Sequence, residues 1–104
     1  MSKEAEIRKK AIEELETDGW ITWFAPKVKF KQTDIFGIID LLALKGKCKK
    51  NIQLTTLSNI SARRKKIVNF LRQNKVEMTV EIWAWNHSKK MFKKEKLNGK
   101  YREA

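Results

Sequence analysis

The run Ile38-Ile39-Asp40-Leu41-Leu42-Ala43-Leu44 constrains this chain more than any other. Strand side chains alternate between two faces, so a stretch apolar at both parities must be covered on both sides. Residues 38–44 therefore predict a central strand, and a strand covered twice demands a layered fold. At 104 residues there is material for one core and not for two.

Two segments have the period of covering helices. In residues 3–17, Ile7, Ala11 and Leu15 fall at i, i+4 and i+8, Ile12 widens the stripe, and Gly19 is a stop signal. In residues 61–73, Ile67, Val68 and Leu71 face inward and Ser61 is a candidate N-cap. Strand signals fill the rest. "GWITWF" is β-prone up to Pro26, and "KVKFK" alternates, with Val28 and Phe30 opposite Lys27, Lys29 and Lys31. Residues 52–57 and 79–85 read as further strands, and "KGKCKK" as a basic turn. The predicted order is α-β-β-β-α-β, an α/β fold with a mixed sheet flanked by helices. Residues 1–88 form its core domain. Residues 89–104 are a basic tail, either a hairpin about Asn98-Gly99 or solvated chain.

Charge narrows the partners. Lys and Arg number 24 against 12 Asp and Glu, a net charge of +12. Such an excess attracts phosphate polyanions, which makes DNA the expected partner. A lysine-rich surface also serves solubility or heat tolerance, and each basic cluster alone reads as an ordinary solvated face. The clusters Lys27, Lys29, Lys31 and Arg63, Arg64, Lys65, Lys66, together with the basic tail, suggest a phosphate-binding surface directed at the DNA backbone. No zinc-finger, helix-turn-helix or ribonucleoprotein motif is present. Cys48 stands alone, so it implies neither an internal disulfide nor a zinc site. The sequence has no apolar stretch of membrane-spanning length and no secretory signal pattern. The expected location is the cytoplasm, including that of a virus-infected host cell. Four tryptophans on strand segments read first as core, with base stacking the alternative, and His87 has no nucleophile or ligand beside it.

Asp40 is the residue that packing explains least. A carboxylate in an apolar strand must reach an edge, pair with a cation or hold a metal. A salt bridge to one of the lysines is the plain alternative; Mg²⁺, which accepts one or two carboxylates, is the functional one. On the next strand Gln53 and Thr55 share a face, and a basic helix follows.

The succession "DIFGIIDLLAL", "IQLTT", a basic amphipathic helix and "EIWAW" resembles the PD-(D/E)xK nuclease superfamily, with its restriction-endonuclease-like fold. Within it the nearest likeness is to small archaeal and phage proteins of the Holliday-junction-resolvase type, and it covers residues 4–86. The resemblance implies that Asp40 is the motif aspartate, with Gln53 where the second acid belongs and Thr55 where lysine belongs. That departure removes a charge from the metal set and a cation from the catalytic set. Asp34 is a replacement acid, giving an Asp34, Asp40, Gln53 metal site, and Lys66 or Arg63 is a replacement cation. Arg8 stands at the usual place of a first-helix acid, with Glu4 and Glu6 as weak substitutes. What the resemblance implies is a Mg²⁺-dependent endonuclease on structured or branched DNA, acting as a homodimer. A non-catalytic DNA-binding module on the same fold is the alternative. The bland reading has Asp34 capping a turn with Gly37 while Gln53 and Thr55 merely decorate a strand.

Overall fold

The computed structural model describes residues 3–24 and 34–97, so Lys27, Lys29, Lys31 and the Asn98-Gly99 turn lie outside the described residues. Helix α1 (Lys3–Thr17) leads into β1 (Ile21–Trp23), β2 (Leu41–Lys45) and β3 (Cys48–Thr56). A 3₁₀ turn, Leu57–Asn59, runs directly into α2 (Ile60–Asn74), followed by β4 (Val80–Asn86) and β5 (Met91–Leu97). The five strands make one mixed sheet in the order β1-β2-β3-β4-β5, parallel between β3 and β4 and antiparallel elsewhere. The α/β fold with helices flanking a mixed sheet is therefore what the chain adopts.

Each helix buries the stripe its spacing marked. Ile7, Ala11 and Leu15 of α1 pack on Leu41, Ala43, Ile52 and Trp83. On the opposite face, Ile67 and Leu71 of α2 pack on Val80 and Ile82, joined by Ile38 and Ile39. Val68, expected inside with them, is only half-buried. The helix also starts a residue before Ser61, after Asn59, which makes no side-chain capping bond.

Three expectations need correction. The central strand is β3, not residues 38–44. Ile38 and Ile39 are buried because a turn tucks them beneath α2, and the strand proper begins at Leu41. Leu44 lies 50% exposed, so β2 is not covered along its whole length. Second, the basic turn is only two residues, Gly46-Lys47, and Cys48 to Lys50 already pair within β3. Third, residues 91–97 are a strand of the sheet and not solvated chain. They return along β4 in register from Asn86↔Met91 to Val80↔Leu97, and Phe92 joins the α1-side core.

One feature of the sheet is unusual. Ile52 faces α1, so strand alternation turns Gln53 and Thr55 toward the α2 side. The middle strand thus carries polar groups at a depth where its neighbours carry Leu42 and Ile82. Gln53 is 1% and Thr55 6% exposed.

Leading into β2, residues 34–40 form a tight hairpin. Ile35 and Ile39 exchange backbone hydrogen bonds of 2.8 and 3.0 Å. Phe36 and Gly37 turn the chain with φ of 55° and 73°. A Cβ at Gly37 would meet nothing within 4 Å, so the cost of Gly37→Ala is the left-handed backbone alone, about 1 kcal/mol. Urea denaturation should show that loss with an unchanged m value.

Candidate functional site

The polar strip of β3 opens into a cavity of about 510 Å³. It lies at the C-terminal end of β3, where the first turns of both helices converge. Its walls include Glu4 and Arg8 of α1, Asp34 and Asp40 of the hairpin, and Arg63 of α2, around Gln53 and Thr55.

The hairpin brings the two acids together. Ile35 pairs with Ile39, so Asp34 and Asp40 sit one position further out, across the hairpin from each other. A spacing of six residues in sequence becomes a carboxyl pair. Asp40 is then pinned to β3. Its backbone N–H donates to the Ile52 carbonyl at 2.9 Å. Its Oδ2 accepts the Leu54 N–H at 2.8 Å and the Gln53 side-chain amide.

The Asp40 carboxyl is pushed up from 3.8 to about 7, first by burial, then by a hydrogen bond to Asp34, made by the protonated form, and by the Asp34 charge, while the Leu54 N–H and Arg63 oppose the rise. The fold therefore binds this proton more tightly than the unfolded chain does. The associated stability is complete below about pH 4 and is lost as pH rises through about 7. A rise of this size corresponds to at most about 4 kcal/mol, and solvent in the cavity screens it to about 2 kcal/mol. Asp40→Asn keeps an oxygen for Leu54 but carries no charge. Its unfolding free energy should exceed the wild type's at pH 8 by that amount and match it near pH 4, as read by denaturant titration.

The expected site residues divide into two groups. Asp34, Asp40, Gln53, Thr55 and Arg63 share the cavity, as do Glu4 and Arg8 from the first helix. Lys65 and Lys66 point to solvent and do not line it. Arg64 makes a two-pronged ion pair with Glu95 of β5, at 2.6 and 2.8 Å. Its guanidinium holds the Glu95 carboxyl below the usual range. The tryptophans lie elsewhere. Trp83 is buried in the α1-side core, Trp85 stacks edge-on against Phe92 at 5.0 Å, and Trp23 is exposed on β1.

Sequence reasoning missed Thr56, Ser58 and Asn59, which also line the cavity. Their signal was a Ser-Asn pair just ahead of the helical stripe, overlooked because Ser61 lies closer to it.

Three side-chain atoms of β3, Asn51 Oδ1, Gln53 Oε1 and Thr55 Oγ1, are buried without a hydrogen-bond partner, and the last two belong to residues that line the cavity. Among the described residues there is no group of three or more His, Cys, Asp and Glu side chains. Two carboxyls and an amide oxygen nevertheless make an all-oxygen donor set of the kind Mg²⁺ takes together with waters and substrate phosphate. The unpartnered Gln53 oxygen fits that role. No protein-family model matches the chain, and no curated protein is significantly similar to it. Function is therefore read from the cavity.

Proposed function

We propose that this protein binds DNA and cleaves it as a Mg²⁺-dependent endonuclease of the PD-(D/E)xK type, acting on structured or branched DNA as a homodimer. The observation that carries the reading is the Asp34–Asp40 carboxyl pair beside Gln53, whose side-chain oxygen is buried and unpartnered. Arg63, Arg8 and Lys3 line the same cavity, in a chain of net charge +12. Asp34, Asp40 and Gln53 would hold the metal. When bound, Mg²⁺ supplies Lewis-acid polarisation of a phosphate oxygen and acidifies water.

The protein's own groups do the rest. The Leu54 N–H orients Asp40. Gln53 donates to the same carboxyl oxygen through its amide nitrogen, which leaves its own oxygen without a partner. Arg63 takes the charge-neutralising part that Thr55 cannot, because it reaches the cavity and Lys66 does not. Thr55 leaves no lysine at that position, and Arg63, which stays charged, would neutralise developing charge but would take no proton from water.

A specific observation favours the non-catalytic alternative. Asp40 Oδ2 is already satisfied by two donors, and its carboxyl keeps a proton up to about pH 7. Cleavage of labelled linear, single-stranded and four-way-junction DNA at pH 8, with Mg²⁺, Mn²⁺ or EDTA, decides between them. The nuclease reading expects metal-dependent cutting that Asp40→Ala abolishes. Arg63→Ala should slow it by about 10²-fold, and Lys66→Ala should change it by less than about twofold. Cutting that survives Asp40→Ala overturns the assignment. Salt-sensitive binding in EDTA, with no substrate cut, establishes a DNA-binding module instead.

A further inference from the structure

The cavity has a second half that the metal reading leaves unused. It is built by the start of the helical run that begins at Leu57. Thr56 precedes this run in an extended conformation, φ −110° and ψ 164°, and makes no side-chain capping bond. Asn59, at the junction with α2, makes none either. The Thr56 and Ser58 hydroxyls lie 3.1 Å apart, and the Asn59 amide donates to Thr56 Oγ1 at 3.3 Å. These side chains bond to one another rather than to the first-turn N–H groups. A helix start without side-chain caps presents backbone donors and the positive end of the dipole.

An independent observation points to a ligand there. Thr55 is 6% exposed, lines the cavity, and has a hydroxyl with no partner. A buried hydroxyl left unsatisfied costs free energy that an acceptor in the cavity would recover. Arg63, on the first turns of α2, lines the same wall. Donors converge from backbone, hydroxyl and guanidinium, and that combination fits a phosphate group better than a carboxylate or a neutral ligand.

We infer that the start of the Leu57–Asn59 turn, with Thr55 and Arg63, is a phosphate seat beside the carboxyl pair. Resting on the DNA reading above, it assigns this half of the cavity to a phosphate of the strand, either a terminal monoester or an internal diester. The seat needs no metal, so it separates from catalysis.

The test is amide NMR of the ¹⁵N-labelled full chain, titrated with inorganic phosphate in EDTA at pH 6.5 and constant ionic strength. Saturable shifts confined to Leu57, Ser58, Asn59 and their neighbours are expected. Arg63→Gln and Thr55→Val should each weaken the apparent affinity at least fivefold. Thr55→Val replaces an unpartnered hydroxyl with a methyl group of the same size, so it should fold, and Lys89→Gln on the β4–β5 turn should leave the titration unchanged. Shifts that grow linearly or spread over the lysine-rich faces, indifferent to Arg63→Gln and Thr55→Val, overturn the seat. Oligonucleotides of one sequence with a 5′-phosphate, a 3′-phosphate or neither then identify the source. A fivefold preference for one end marks a terminal monoester, and equal shifts mark an internal diester. Absence of Leu57–Asn59 shifts with all three also overturns the seat. If no DNA is cut under any condition while these amides still titrate, catalysis falls and the seat stands. If cutting proceeds with no titration, the reverse holds.

Discussion

The structure hangs its chemistry on one carboxylate oxygen. Asp40 Oδ2 joins the hairpin of residues 34–40 to the central strand by accepting from the Leu54 backbone and the Gln53 side chain. These bonds keep the acid in the cavity although it follows two buried isoleucines. Burial without a cation would be costly. The chain lowers that cost by letting Asp40 keep its proton to about neutrality. Any cation that binds the pair must displace this proton, so metal occupancy and pH are coupled through the same oxygen atoms.

Much of the fold was legible because the two periodicities are clean. The Ile7, Ala11, Leu15 stripe and the Ile67, Leu71 stripe became the two buried helix faces, with only Val68 of the expected inward residues left half-buried. The start of β2 was not legible from residues 38–44, although Leu41 to Leu44 of that run do belong to it. An apolar pair in a buried turn and an apolar pair in a strand look alike in sequence, and only the left-handed backbone at Phe36 and Gly37 separates them. Strand β5 was hidden for the opposite reason. Five of its seven positions, from Lys93 to Leu97, read as charged chain ending in one apolar residue. Its inward contacts are Phe92 on one side of the sheet and Leu97 on the other, too sparse to register as alternation.

The basic tetrad Arg63-Arg64-Lys65-Lys66 resolves in the same way. Helical geometry turns successive residues by about 100°, so four adjacent charges cannot act as one patch. Arg64 follows the stripe of Ile60, Ile67 and Leu71 inward and is used on Glu95, tying α2 to the far strand of the sheet. Lys65 and Lys66 reach solvent. Arg63 alone of the four turns to the cavity. The sequence placed the cation near the site, and only the helix phase says which residue supplies it.

What remains is why β3 carries Gln53 and Thr55 at all. Strands in the interior of a sheet gain from apolar side chains, and replacing buried polar atoms that lack partners would stabilise the fold. A chain that keeps such atoms accepts a local penalty, and departures of this kind concentrate where a ligand completes the bonding. Of the three such atoms on β3, Asn51 Oδ1 lies outside the cavity. Gln53 Oε1 and Thr55 Oγ1 both belong to residues lining one cavity, two positions apart on one face of the middle strand. Gln53 stands by the acids and Thr55 by the start of the helical run. An acid-side oxygen open to a cation and a helix-side hydroxyl open to an acceptor are what the proposed binding of a metal-neutralised phosphate requires.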